Sequence, residues 1–160
     1  MSDIRTFAYV TSALLALGVP VAAQVELQLE ACLSAVQTAD PVARGAAQDQ
    51  CLQVAQAACH GQDTQSIPCL QNVSDDLSAY ADALVPRLPE TPELDELLVP
   101  SYARKLARLR GQGWSQQRCV VPMIATISVE KRRGLCAVQR AYDRLKLAED
   151  LARMAGVTLD

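Results

Sequence analysis

The chain has 160 residues, of which 50% are hydrophobic and only 4% are aromatic, and its formal net charge at pH 7 is −3. A chain of this length suits one domain behind a short leader. The near-neutral charge, with no basic patch interleaved with aromatic residues, argues against a nucleic-acid-binding protein.

The first 23 residues have the pattern of a secretory signal. An apolar run follows Arg5, Pro20 interrupts it, and the small residues of 21–23 suit a signal peptidase. We therefore expect cleavage after Ala23, a single domain over residues 24–160, and a periplasmic or secreted bacterial protein. An uncleaved anchor is the alternative, but the run is shorter than the ~20 apolar residues that a span requires. We expect no membrane span after cleavage.

Helical spacing of apolar residues predicts three helices in the first part of the mature chain. They span residues 24–38, 42–59 and about 74–88, with a turn at Asp40-Pro41 and a polar loop over residues 60–68. The predicted inward-facing stripes are Leu29, Cys32 and Val36 on the first helix, Ala47, Cys51, Val54 and Ala58 on the second, and Leu77, Tyr80, Leu84 and Leu88 on the third.

An acidic, proline-rich segment follows over residues 86–100. Its four acids are Glu90, Glu93, Asp95 and Glu96. One short helical turn is predicted at residues 91–93, where a threonine cap, a first-turn proline and an acid occur in that order.

Two further helices are predicted after this segment. One runs from a Ser101 cap to about residue 117, and the other runs from residue 129 to 155 and ends at Gly156. Helix-forming residues are plentiful and β-branched residues do not cluster, so we predict an all-α fold, a small irregular bundle of four to five helices. The inward-facing residues are predicted to be Tyr102, Leu106 and Leu109, and then Leu135, Val138, Tyr142, Leu145, Ala148 and Ala152.

The small net charge conceals a strong asymmetry along the chain. Residues 24–100 contain twelve acids and two bases, whereas residues 101–160 contain five acids and twelve bases. One interpretation is that the two halves pack together and neutralise each other. The other is an acidic face that binds a cationic partner.

Six cysteines follow the predicted leader: Cys32, Cys51, Cys59, Cys69, Cys119 and Cys136. An even number in an exported chain favours disulfides over metal ligands or catalytic thiols. The first two cysteines stand level if the first two helices form a hairpin, and each later neighbouring pair closes a polar loop. We predict that three disulfides staple the bundle, Cys32–Cys51, Cys59–Cys69 and Cys119–Cys136, although the sequence leaves other pairings open.

Little in the sequence supports catalysis or metal binding. His60 is the only histidine, and a zinc site built from Cys59, His60 and Cys69 would lack a fourth ligand and the usual short ligand spacing. Glycine-rich phosphate loops and nucleophile motifs do not occur. We therefore expect a protein that is not an enzyme and has no metal and no cofactor.

Four stretches of the chain together carry a family resemblance. They are residues 51–59, with a cysteine at each end; Cys69-Leu70 followed by Asp75-Asp76-Leu77 and Tyr80; residues 112–119, with Trp114 and Arg118; and Leu135-Cys136. This pattern, over about residues 32–151, resembles the lysozyme inhibitor LprI-like N-terminal domain family. The resemblance implies an exported, helical, disulfide-bonded domain. Trp114 and Arg118 match its motif, and we expect the ring in the core and the guanidinium paired with an acid of the first or third helix.

The same resemblance implies a periplasmic protein that binds and inhibits lysozyme. We expect Glu90, Glu93, Asp95 and Glu96 to bind the partner, lysozyme or another cationic envelope protein, because opposite charges steer association. The alternatives are that this segment is a solvated linker, and that the protein is a non-inhibitory structural or adaptor module of the cell envelope.

Overall fold

The computed structural model describes residues 21–37, 40–60, 63–111 and 127–159. These residues form five α-helices and contain no strand, which confirms the all-α prediction for the described ranges. A 3₁₀ turn, Val85–Arg87, follows the third helix. The helices are α1 (Val21–Gln37), α2 (Pro41–Ala58), α3 (Asp63–Leu84), α4 (Val99–Arg110) and α5 (Val129–Met154).

Helices α1 and α2 pack against each other as predicted, and of the predicted α2 stripe Cys51 is buried and Ala47 and Ala58 are partly buried against the core. Leu29 and Val36 of α1 are buried as predicted, whereas Val54 of α2 is 52% exposed. The fully buried face is rotated slightly from the predicted stripe and follows the helical spacing i, i+3, i+4 and i+7. Its members are Gln48, Cys51, Leu52 and Ala55.

The prediction of a polar loop over residues 60–68 is wrong for most of its length, because α3 begins at Asp63 rather than near residue 74. Pro68 lies inside this helix and cannot donate the backbone hydrogen bond of its position, which normally disfavours a helix. Cys69 and Leu70 are buried directly after it. Their burial and the disulfide at Cys69 stabilise a helical turn that the local sequence disfavours.

Tyr80 does not belong to the core stripe in which it was predicted. Its exposed fraction is 38%, whereas Leu77, Ala81 and Leu84 are buried. The buried face of α3 therefore continues from Leu77 through the positions four and seven residues later, and Tyr80 lies at its edge. The tyrosine ring is left on the side of the helix that faces α1.

Helix α5 is the long central element, and α3 packs along it. The predicted stripe is confirmed: Val138, Tyr142, Leu145, Ala148 and Ala152 are buried, and Leu135 is partly buried. Ser128 caps the helix by accepting a hydrogen bond from the backbone N of Lys131 at 3.1 Å. A Cβ at Gly134 would lie 3.2 Å from Leu70 Cδ1, so this glycine permits the close approach of α5 to α3.

The second core lies where α4 meets the end of α5. Tyr102, Leu106 and Leu109 are buried there, as predicted. The helix begins at Val99 rather than at a Ser101 cap, because a turn over residues 96–98 leads directly into it. That turn replaces the one predicted at residues 91–93. The helix ends at Arg110, and the predicted extension to residue 117 lies outside the described residues.

The two oppositely charged parts of the chain do pack together. Three ion pairs join them: Arg110–Glu90 at 2.5 Å, Arg144–Asp82 at 2.6 Å and Lys146–Asp49 at 3.2 Å. Each pair is partly exposed, so each contributes little stability by itself. Together they neutralise part of the opposite charge that the two halves of the chain carry. None of the helices in the described ranges is long and apolar enough to cross a membrane.

Candidate functional site

Two of the three predicted disulfides are confirmed. Cys32–Cys51 joins α1 to α2, with Cα atoms 5.8 Å apart, and Cys59–Cys69 joins the end of α2 to α3, with Cα atoms 5.5 Å apart. The third prediction, Cys119–Cys136, includes Cys119, which lies outside the described residues. Because Cys59 and Cys69 are bonded to each other, they cannot serve as the thiolate ligands of a zinc site.

The two residues of the family motif, Trp114 and Arg118, also lie outside the described residues. His60 is exposed at the end of α2, beside the first disulfide-bonded cysteine of the α2–α3 connection. Within the described ranges, histidine, cysteine and acidic side chains do not form a cluster that could hold a metal ion.

The acidic segment is anchored at its beginning against α4. Glu90 pairs with Arg110 at 2.5 Å, and the same guanidinium donates to the carbonyl oxygen of Leu88 at 3.0 Å. The buried Tyr102 donates its hydroxyl to the carbonyl oxygen of Pro89 at 2.8 Å. Of the four predicted binding acids, Glu90 is therefore partly used to hold the segment in place.

Residues 93–99, which lead into α4, are exposed except for Leu94, which packs against the second core; this stretch is named the acidic tip. Asp95 shapes it, because Asp95 Oδ1 accepts a hydrogen bond from the backbone N of Leu97 at 2.9 Å. Glu93 and Glu96 are exposed, and in the described part of the chain neither forms an ion pair. Three of the four predicted acids, Glu93, Asp95 and Glu96, are thus exposed within four consecutive residues.

Apolar residues of the acidic tip, which the sequence analysis did not single out, stand beside these carboxylates. Leu97 is 86% exposed, Leu98 is 47% exposed and Val99 is 40% exposed. Large exposed apolar side chains that adjoin one another commonly mark contact surfaces. The sequence alone does not separate them from core residues, because Val99 lies three residues before Tyr102 and continues the helical spacing of the buried α4 stripe.

A second feature that the sequence analysis missed is a groove between α1 and α3, named the α1–α3 groove. It consists of two adjoining cavities with volumes of about 250 and 340 Å³, and both are lined by Glu30, Tyr80 and Ala83. Leu33 and Leu145 line the first cavity, together with Glu149 of α5. The exposed Tyr80 that the core prediction placed wrongly is therefore part of the groove wall.

Glu149 is a buried acid at this groove. Its exposed fraction is 4%, and it accepts a hydrogen bond at Oε2 from the amide of Gln48, which is itself buried. Arg153 Nη1 lies 3.7 Å from the same oxygen, while another nitrogen of that guanidinium contacts Asp150. Burial raises the pKa of Glu149 above its ordinary value, and the Gln48 hydrogen bond and nearby Arg153 offset this only in part.

A polar cluster of Asp49, Tyr142 and Lys146 joins α2 to α5. Tyr142 donates its hydroxyl to Asp49 Oδ1 at 2.7 Å, and Lys146 Nζ lies 3.2 Å from the same oxygen. The Tyr142 hydrogen bond is the main reason that the pKa of Asp49 is lowered. Burial and this bond also raise the pKa of Tyr142 well above its usual range. The cluster is best explained as a link between two helices.

Comparison with known proteins adds no identity to this chain. No protein-family model matches it, and neither the curated proteins nor the solved structures that were searched contain a match. The resemblance to the LprI-like family therefore stays a prediction drawn from the cysteine spacing and the motif residues.

Proposed function

We propose that this protein is an exported binding protein of the bacterial envelope that uses its acidic tip to bind a cationic protein, and that lysozyme is the first such partner to test. The observation that carries the proposal is the composition of the tip. Glu93, Asp95 and Glu96 stand beside the exposed Leu97, so one small surface offers both negative charge and an apolar contact.

This combination suits protein recognition better than it suits a solvated linker. A linker needs no ordered turn, whereas Asp95 orders the tip through its hydrogen bond to Leu97, and the neighbouring Leu98 donates its backbone N–H to the Asp95 carbonyl oxygen at 2.8 Å. Carboxylates at the rim of an interface accelerate association with a cationic partner, and an apolar centre supplies affinity. The LprI-like resemblance supplies the choice of lysozyme.

The alternative is a non-inhibitory adaptor that docks on another envelope protein. The same tip supports that function, because a charged turn with apolar side chains is not specific to an enzyme partner. The two functions differ in whether enzyme activity changes on binding. An adaptor would leave the rate of cell-wall lysis unaltered.

A cell-wall lysis assay tests the proposal. The purified protein, titrated to micromolar excess over lysozyme, is expected to slow the clearing of a cell-wall suspension, and a Glu93→Gln/Glu96→Gln variant is expected to slow it less. The matched control is Asp75→Asn/Glu130→Gln, which removes two exposed charges elsewhere. Unchanged lysis with the wild-type protein would contradict inhibition, and equal effects of the two variants would contradict the role of the acidic tip.

A further inference from the structure

We propose that the outer face of α4, together with the acidic tip, is a docking surface for a second copy of this chain. The two copies lie with their α4 helices antiparallel, so that the acidic tip of each copy meets the basic part of the other copy's helix. The inference does not depend on the proposed function, because it concerns the protein alone. It comes from the placement of charges along α4 and from the apolar side chains at its start.

The outer face of α4 carries bases and small side chains. The buried stripe of this helix packs in the second core, and the opposite side is exposed. Arg104, Lys105 and Arg108 lie on that exposed side, and α4 contains no acidic residue. Ala103 and Ala107 are exposed beside these bases. Small side chains at a contact let two helices approach closely, so this face suits a second helix that brings negative charge.

The acidic tip continues the outer face of α4 beyond the start of the helix. The backbone N of Val99 donates to the carbonyl oxygen of Asp95 at 3.3 Å, which is the spacing of an α-helical hydrogen bond. Leu98 has helical dihedral angles, with φ −89° and ψ −26°. Leu97 lies seven residues before Arg104 and therefore on the same side of the helix. Its side chain is 86% exposed, so an apolar contact stands at one end of the basic face.

The helix macrodipole explains only part of this charge distribution. Acids before a helix and bases in its last turn both favour the helix itself, and Arg108 and Arg110 lie in that last turn. Arg110 is moreover paired with Glu90. Arg104 and Lys105 lie in the middle of α4, where the macrodipole has little effect, and within the described ranges neither pairs with an acid. Their charges are therefore available to a partner.

An antiparallel pair of α4 helices matches these features in register. With a two-fold axis beside position 102, position 96 of one copy stands level with position 108 of the other, and position 97 with position 107. Glu96 then meets Arg108 of the second copy, and Leu97 packs on Ala107 of the second copy. Because the arrangement is symmetric, each contact occurs twice. One helix of 12 residues and one turn from each copy form a small interface, so we expect a weak dimer.

This dimer covers the acidic tip of both copies. A cationic partner protein and a second copy therefore compete for the same surface. Because the charges that meet are exposed in the separate chains, salt screens their attraction and weakens the dimer.

Sedimentation equilibrium of the purified protein, without any partner, tests the inference. At an ionic strength of about 0.02 M the wild type should show a monomer–dimer equilibrium with a dissociation constant on the order of 0.1 mM, as suits a small interface. Raising the ionic strength to about 0.5 M should weaken the dimer about tenfold. Leu97→Ser should also weaken it about tenfold or more, because each dimer loses two apolar contacts.

Two charge-reversed variants make the test specific. Glu93→Lys/Glu96→Lys reverses the charge of the acidic tip. Arg104→Glu/Arg108→Glu reverses the charge of the outer face of α4. Each variant alone should be monomeric, because like charges then meet across the interface. An equal mixture of the two should form a heterodimer, because the reversed tip of one variant meets the reversed helix of the other. All four positions are exposed, so both variants should keep the circular dichroism of the wild type.

The matched control is Glu30→Lys/Asp75→Lys, which changes the net charge as much as the tip variant does, at exposed positions of α1 and α3. It should dimerise as the wild type does. The inference is overturned if the wild type stays monomeric at about 1 mM in low salt, or if the tip variant dimerises like the wild type. It is also overturned if the mixture forms no heterodimer, or if the control variant loses dimerisation.

Discussion

At the scale of single residues, two polar contacts between α2 and α5, one buried and one partly buried, help to fix how these two helices align. Gln48 meets Glu149, and Asp49 meets Tyr142, so two consecutive residues of α2 each contact α5. A polar contact of this kind does little for net stability but disfavours other alignments of the two helices, because a shifted helix would leave a buried group unpaired.

The contact between Tyr142 and Asp49 gives the first prediction. Tyr142→Phe keeps the buried ring and removes only the hydroxyl, so we expect a loss of about 1.5 kcal/mol in the free energy of unfolding, the low end for a charged partner because Asp49 is exposed. The pKa of Asp49 should rise toward its ordinary value of 3.8. Denaturant unfolding and an NMR titration of the Asp49 carboxyl measure the two effects.

The control for this prediction is Lys146→Met, which removes the second partner of Asp49 and keeps the aliphatic stem. It should cost less than Tyr142→Phe, since exposed ion pairs contribute between about 0 and 1 kcal/mol. A lowered pKa gives Asp49 a contribution that is present above its unfolded pKa and lost as the pH falls through its folded pKa. The loss in Tyr142→Phe should therefore shrink in acid; a constant loss down to low pH would contradict this account.

Glu149 gives the second prediction, and its contribution to stability changes with pH in the direction opposite to that of Asp49. Burial, helped by the nearby Asp150, raises its folded pKa above the ordinary value of 4.5, although Gln48, Arg153 and Arg44 each lower it. Its protonation therefore stabilises the fold below the unfolded pKa, and this contribution is lost as the pH rises through the folded pKa. Glu149→Gln resembles the protonated form and should lack this loss.

The measurement is the free energy of unfolding of both proteins from acid to neutral pH. The two should be of similar stability in acid, and Glu149→Gln should gain relative to the wild type as the pH rises. A difference that does not change with pH would mean that the pKa of Glu149 is the same in the folded and unfolded states.

At the scale of elements, the start of α3 shows where local sequence and tertiary structure disagree. Residues 63–68 contain polar side chains, a serine and a proline, and this composition led to the prediction of a loop. The helix forms nevertheless, because Ser66, Cys69 and Leu70 are buried and Cys59–Cys69 fixes the chain at that point. Propensity is a weak guide wherever such contacts outweigh it.

The third prediction follows from that disulfide. Replacing Cys59 and Cys69 together by alanine should lower the free energy of unfolding by about 3 kcal/mol, on a chain-entropy estimate for a short loop. It should also cause the first turns of α3 to fray, so that amides 63–68 lose protection from hydrogen exchange while α5 keeps it.

The matched control replaces Cys32 and Cys51, whose bridge closes a loop of comparable length, with a sequence separation of 19 against 10. That variant should be destabilised by a similar amount, but its amides 63–68 should exchange no faster than global unfolding allows. Equal local fraying in both variants would show that the Cys59–Cys69 bridge has no special role at Pro68.

Other elements could be predicted well, and the reason is periodicity. The buried residues of α4 and α5 can be predicted correctly because long apolar and charged side chains alternate in both helices with a clear helical spacing. Helix α2 is rich in alanine and glutamine, and α3 contains alanine, glutamine and serine; these residues are compatible with either face of a helix. The sequence therefore misplaced Val54 and Tyr80, one of which lies in the wall of the α1–α3 groove.

At the scale of the whole molecule, the cysteine spacing and the charge asymmetry were the most informative sequence features. Two disulfide pairs followed from their positions on predicted helices, and the ion pairs between α3, α4, α5 and the acidic segment follow from the asymmetry. The acidic residues of the acidic tip could be predicted from the sequence. Its exposed leucines and the α1–α3 groove could not be predicted, because both depend on which apolar residues the folded helices leave uncovered.

The central claim is that the acidic tip binds a cationic protein, and its affinity for lysozyme at two salt concentrations tests that claim most directly. Isothermal titration calorimetry should show weaker binding as salt rises from about 0.05 to about 0.3 M, because the Debye length falls from above ~10 Å to below ~8 Å. At low salt, Glu93→Gln/Glu96→Gln should bind more weakly than Asp75→Asn/Glu130→Gln. Absence of binding by the wild-type protein at low salt, or equal affinities of the two variants, would contradict the account.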